Sequence, residues 1–221
     1  MIARELISTS IPALTCSDFG HKALNIMENC RVSHLPLIQD NQYMGLISDK
    51  DIYDLELEMC QLHENLTSLP TPSVYVNQHI YEVTQKILEL KLSLIPVLEM
   101  NNDFCGVISM NNLAPIIANL FMTKESGAII VLEVSPIDYS LSQISQIIES
   151  NDVKILSLYT QNPEDSREMN VSLKVNVTDI SSVIQTFVRY NYNIKAVYMD
   201  DSLLHDMYSD RYELFMKYLN I

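Results

Sequence analysis

The stretch Ser33-His34-Leu35-Pro36-Leu37-Ile38 returns 60 positions later as Ser93-Leu94-Ile95-Pro96-Val97-Leu98, and this echo decides how the first half of the chain is read. The match extends both ways. Pro12 falls on Pro72, and after a one-residue insertion Gly45-Leu46-Ile47-Ser48 falls on Gly106-Val107-Ile108-Ser109. Two copies of one unit therefore span about residues 6–62 and 66–122.

Both copies read in the same order. An extended segment, Pro12 to Cys16 or Pro72 to Val76, leads to an N-cap residue, Ser17 or Asn77, whose side-chain oxygen can accept from orphan helix N–H groups. A helix follows, with Phe19, Ala23, Met27 and Cys30, or Ile80, Val83, Ile87 and Leu90, at spacings that fill one face. Two apolar runs read as strands, His34 to Ile38 and Met44 to Ile47, repeated as Leu94 to Leu98 and Phe104 to Ile108. Asp40-Asn41 and Asn101-Asn102-Asp103 supply the turns. A last helix carries Ile52, Leu55, Met59 and Leu62 in one copy and Leu113, Ile116, Ile117 and Leu120 in the other. The unit is β-α-β-β-α used twice, and two such halves are expected to bury their apolar faces on one another as one pseudo-twofold domain of residues 1–124.

The junctions Gly45-Leu46-Ile47-Ser48-Asp49-Lys50-Asp51-Ile52 and Gly106-Val107-Ile108-Ser109-Met110-Asn111-Asn112-Leu113 resemble the glycine, two-apolar, Thr/Ser, two-variable, Asp pattern of CBS domains. With the Leu35-Pro36 and Ile95-Pro96 strands, the resemblance covers about half of the chain. It implies clefts between the copies that take adenosine nucleotides (AMP, ADP or ATP) or related adenosyl ligands as regulatory ligands. By that resemblance Ser48 contacts phosphate or ribose, Asp51 holds the ribose hydroxyls, and Ser33 and His34 face phosphates. Ser109 matches in the second copy, whereas Asn112 stands in place of the acid and Leu94 in place of a polar residue. Hydrogen bonds to a charged group contribute about 1.5–3 kcal/mol against about 1 for neutral pairs, so the second cleft is expected to bind about tenfold more weakly. Ser48-x-x-Asp51 also reads as a capping box, stabilising a helix start by about 1 kcal/mol with no ligand present.

From Gly127 the pattern becomes β-α-β-β-α-β. Ala128 to Val134 is an apolar strand; Leu141, Ile144 and Ile148 mark a helix; Val153 to Tyr159 is a second strand, and Asn162-Pro163-Glu164-Asp165 turns the chain. Met169, Val171, Leu173, Val175 and Val177 alternate with polar residues, which puts one sheet face on a core and leaves the other to water or a partner. A helix from Asp179 to Arg189 and a strand from Ile194 to Met199 complete a ferredoxin-like order. The placement, residues 125–199, resembles ACT domains, which implies amino-acid binding or pairing through the sheet. ACT domains usually place a glycine after the first strand; here Val134-Ser135-Pro136-Ile137-Asp138-Tyr139 has none, so a dimerisation or docking module is the favoured reading. Tandem CBS plus ACT resembles the acetoin-utilisation regulatory proteins of bacteria. Residues 200–221 read as a C-terminal helix with Tyr208, Tyr212, Phe215 and Leu219 on one stripe.

The expected fold class is thus α/β (α+β): a tandem CBS pair plus a ferredoxin-like βαββαβ ACT-like sandwich. A net charge of -14, with 14 basic residues scattered along 221, opposes binding to nucleic acid. Cys16, Cys30, Cys60 and Cys105 show no Cys-x-x-Cys and sit in apolar patterns, as reduced thiols of a cytoplasmic protein do; Cys60 and His63 alone lack the ligands of a zinc site. The apolar stretch near Leu113 to Met122 is about half a bilayer span, and Met1-Ile2-Ala3-Arg4-Glu5 opens no signal-like run, so no membrane association is expected. No Gly-rich phosphate loop, nucleophile elbow or His-Glu-x-x-His is present. The reading is a non-catalytic regulatory protein with no cofactor or metal, a homodimer by analogy with both module types, and a protein target downstream.

Overall fold

A computed structural model describes residues 1–62, 69–163 and 166–199. The chain divides into two units, Met1–Ile116 and Ile117–Ile221. After a short 3-10 turn at Ala3–Leu6, the first repeat runs β1 (Leu14–Thr15), α1 (Gly20–Cys30), β2 (His34–Gln39), β3 (Gln42–Ser48) and α2 (Asp49–Asp54). The second runs β4 (Val74–Tyr75), α3 (Ile80–Glu89), β5 (Leu94–Leu98), β6 (Phe104–Ser109) and α4 (Met110–Leu120). In each, the short first strand lies parallel to the second, which requires the helix between them as a crossover, and the second and third form a hairpin.

The sequence places the caps of α1 and α3 at Ser17 and Asn77; they fall instead at Phe19 and His79. The reason is a turn. Asp18 Oδ2 accepts from the Thr15 N–H at 2.8 Å, and Gln78 Oε1 accepts from the Tyr75 N–H at 2.7 Å, so residues after each short strand close a turn before the helix begins. Phe19 offers no side-chain acceptor. The first N–H groups of α1 are satisfied by carbonyls further on: Gly20 donates to Cys60 at 3.2 Å and His21 to Glu58 at 2.8 Å.

The same contact explains a second correction. The apolar spacing predicts that the helix carrying Ile52 runs through to Leu62, yet α2 stops at Asp54, and Glu56 turns the chain with φ 53°. The segment beyond then lies against the start of α1. Leu57 and Leu62 are buried there, while Leu55 and Met59 of the expected stripe face solvent. Leu90, just past the end of α3, is exposed, and in α4 only Leu113 of the expected face is fully buried.

The two repeats are laced together. The N-terminal segment is bonded to the second repeat: Ala3 N–H donates to Gln78 O at 2.8 Å, Arg4 N–H to Val76 O at 3.0 Å and Ser8 N–H to Val107 O at 2.8 Å. The segment between repeats is bonded back to the first, with Leu46 N–H donating to Pro70 O at 2.8 Å and the half-buried Tyr43 hydroxyl to Pro72 O at 3.0 Å. These crossings account for the two motif glycines. A Cβ on Gly45 would stand 2.4 Å from Leu69 Cβ, and one on Gly106 would stand 2.6 Å from Ile7 Cγ2.

One core joins both copies, because Leu94 and Val107 of the second pack with Leu14, Leu35, Leu46 and Ile52 of the first. Residues equivalent by the repeat also touch each other. Ser33 N–H donates to Ser93 Oγ at 3.0 Å, and Gln42 bridges to Asp103. A residue that meets its own equivalent lies beside a twofold axis, so the pseudo-twofold passes through these two contacts.

The second unit carries β7 (Ile129–Val134), α5 (Leu141–Glu149), β8 (Ile155–Gln161), β9 (Met169–Val175), α6 (Ser181–Arg189) and β10 (Asn193–Tyr198). Its sheet runs β10-β7-β9-β8 with every pair antiparallel, the ferredoxin-like order. Ile130, Leu132, Val171, Leu173 and Val175 face Ile144, Ile148, Val183 and Phe187 of the helices. On the opposite face Phe121 packs edge-on to Tyr159 at 5.1 Å, and Lys174 Nζ donates to Met122 O at 2.7 Å. Helix α6 starts two residues later than the sequence suggests, because the Asp179 carboxylate accepts from Ser181 N–H and Oγ and so stands outside the helix. Glu164, Asp165 and the expected C-terminal helix at 200–221 lie outside the described residues.

Gly45→Ala and Gly106→Ala are each expected to lower stability by about 1–3 kcal/mol through forced displacement of Leu69 or Ile7, measured by urea unfolding. Full stability in both variants would show that the crossings do not press on these strands.

Candidate functional site

At the pseudo-twofold, the backbone is symmetric and the side chains are not. Ser33 and Ser93 are equivalent, but the next position is His34 in one copy and Leu94 in the other. His34 Nδ1 lies 3.0 Å from Ser93 Oγ and 3.2 Å from Ser33 Oγ, and the Ser93 N–H donates to it at 3.3 Å. A backbone N–H aimed at Nδ1 makes that nitrogen the acceptor, so the ring proton sits on Nε2 and the imidazole is neutral. Burial lowers the His34 pKa, opposed by the nearby carboxylates of Asp49 and Asp51.

Beside this junction opens a cavity of about 760 Å³ bounded by His21, Glu28 and Arg31 of the α1 region, Asp49 and Tyr53 of α2, and Ser33 and Ser93. Of the six residues expected to bind ligand, Ser33 lies on this wall. His34 stands next to it and is bonded to both serines of the wall. Asp49, Ser93, Arg31, Glu28 and Glu58 line it too and were not singled out from the sequence. Ser93 could have been found, since it is the repeat equivalent of Ser33. Asp49 occupies a variable position of the motif and carries no such signal.

Ser48 and Asp51 form the full capping box. Asp51 Oδ2 accepts from the Ser48 N–H at 2.8 Å and from Ser48 Oγ at 2.7 Å, while Ser48 Oγ accepts from the Asp51 N–H at 3.1 Å. The hydroxyl proton expected to meet phosphate is therefore directed at Asp51. The second Asp51 oxygen, Oδ1, accepts no hydrogen bond among the described residues, so the carboxylate keeps acceptor capacity for a hydroxyl pair. In the second copy the box is half closed: Asn112 N–H donates to Ser109 Oγ at 3.2 Å, Ser109 is buried, and Asn112 makes no return bond to the Ser109 N–H among the described residues.

Residues 3–58 match the family model described as the CBS domain. The first repeat is a CBS domain. With the second repeat, of the same element order and bonded to it along the pseudo-twofold, it forms a tandem CBS pair. A curated relative, homoserine O-acetyltransferase of Methanobrevibacter ruminantium, is 22% identical over 121 residues, covering 53% of this chain; the chain spans only about a quarter of that protein's length, 24%. Among solved structures, a CBS domain pair/ACT domain protein from Thermotoga maritima is similar with 18% identity and a TM-score of 0.47, covering 54% of this chain and 98% of that one. A putative acetoin utilization protein from Vibrio cholerae is similar with 18% identity and a TM-score of 0.49, covering 56% of this chain and 95% of that one. Among the described residues no helix is long and apolar enough to cross a membrane, and no group of three or more His, Cys, Asp or Glu could hold a metal ion.

Because the His34 pKa lies below its ordinary 6.5 in the folded CBS pair, the unfolded chain takes up the proton first. The His34 contribution to stability is present above that ordinary value and is lost as pH falls through the folded pKa. Urea unfolding between about pH 5 and pH 8 should show a steeper acid loss for the native chain than for His34→Asn, which keeps an acceptor but does not titrate. Parallel curves would contradict a neutral, accepting His34.

Proposed function

We propose that this chain is a non-catalytic regulatory protein whose CBS pair senses an adenosine-type ligand, of the AMP, ADP and ATP class or a related adenosyl compound. The observation that carries the reading is the cavity at the repeat junction, where wall residues Ser33 and Ser93 form one of the contacts between the repeats. A ligand seated there touches both copies at once. Its binding energy can bias their relative setting only through such differential contact. Ser48, Asp51, Ser33 and His34 are the proposed ligand residues of the first cleft, and Ser109 and Asn112 those of a weaker second one.

The ferredoxin-like unit is proposed as an ACT-like dimerisation or docking module that relays occupancy to a protein target in the cytoplasm. The exposed Ile137 and the absence of glycine between Val134 and Tyr139 favour docking over amino-acid binding. A second reading, an interaction protein whose clefts no longer bind, draws on the half-closed box at Asn112.

A thermal-shift panel of adenosine, AMP, ADP and ATP tests the choice. At least one is expected to raise the melting temperature, by linkage worth about 2.7 kcal/mol at a hundredfold excess over the dissociation constant. Asp51→Ala should abolish the shift, and Asp51→Asn, which copies the second repeat, should reduce it. No shift with any member would favour the interaction reading.

A further inference from the structure

Resting on the reading just given, we infer that the junction cavity of the first repeat selects nucleosides that carry a positive charge or none at the 5′ end, and disfavours polyphosphates. Three features of the wall and of the residues beside it point the same way.

The first is the state of the helix start. Phosphate recognition by a helix end requires free N–H groups. The leading three of α2 are all engaged inside the chain. Asp49 N–H donates to Ser33 O at 3.1 Å, Lys50 N–H to Asp49 Oδ1 at 2.7 Å and Asp51 N–H to Ser48 Oγ at 3.1 Å. The helix itself has six residues, two of them acids in its first turn, so it offers an anion no net attraction.

The second is charge. The wall carries the carboxylates of Glu28, Asp49 and Glu58 against one guanidinium, Arg31, besides the imidazole of His21. A triphosphate placed here would add like charge to three carboxylates, whereas an ammonium would meet them as counter-ions. The third is His34. Its Nδ1 accepts from the Ser93 N–H, so this nitrogen cannot donate to a phosphate oxygen. Apart from the Arg31 guanidinium and the ring N–H groups of His21 and His34, the chemistry offered to a ligand is that of acceptors, carboxylate and hydroxyl oxygens suited to sugar hydroxyls and cationic groups.

The test is calorimetric titration of the full chain with four probes that differ only at the 5′ position: 5′-amino-5′-deoxyadenosine, adenosine, AMP and ATP. Affinity is expected to fall in that order, with ATP at least about tenfold weaker than adenosine. Raising salt should weaken the amino compound, leave adenosine unchanged and narrow the deficit of ATP. The pair Glu28→Gln and Asp49→Asn, both isosteric, should compress the whole series. Binding of ATP as tight as or tighter than adenosine would overturn the selectivity while leaving adenosyl sensing in place. Absence of binding by all four probes would instead overturn the adenosyl reading on which the inference rests.

Discussion

The contact on which the rest of the first unit depends is the meeting of Ser33 with its own repeat equivalent, Ser93. The first copy does not complete its core alone: the buried set spans residues from Leu14 to Leu62 and is completed by Leu94 and Val107 from the other copy. The crossings add backbone hydrogen bonds to this, because the N-terminal segment is bonded to the second repeat and the inter-repeat segment to the first. A half-unit of about 60 residues is at the lower limit of independent stability, and such exchange of segments makes the pair one cooperative body.

Breaking the symmetry at one residue creates the chemistry. With serine on both sides and leucine at both following positions, the junction would be a plain polar contact inside an apolar seam. His34 in place of a second leucine adds an acceptor for the Ser93 N–H, set beside both hydroxyls. The same asymmetry recurs at the helix starts, where the Asp51 carboxylate closes a full box and Asn112 closes half of one. The two copies thus share one element order and differ in the side chains at their helix starts.

The element order of both units was legible from the sequence because apolar spacing and turn residues agree with each other along it. The strands from His34 and Leu94 follow unbroken apolar runs, and the strand from Met169 follows the alternation of its apolar and polar side chains. Helix ends were read less well, for a physical reason. The cap of α1 is made of carbonyls of Glu58 and Cys60, distant in sequence, so no local side chain announces it. The end of α2 is likewise set by tertiary demand: Leu57 and Leu62 must reach the core, and the helical stripe through Leu55 and Met59 would point them elsewhere. Of the cavity wall, Ser33 was visible from the repeat motif, whereas Asp49, Glu28 and Glu58 meet only through folding and carry no signal of their own.

The claim that the repeats are one body joined at this junction is tested most directly by a double-mutant cycle between His34→Leu, which restores the symmetry of the second copy, and Ser93→Ala. Unfolding free energies of the native chain, both single variants and the double variant give the coupling. The account requires a coupling of at least about 0.5 kcal/mol, in one cooperative transition. Strict additivity, or separate transitions for the two repeats, would contradict it.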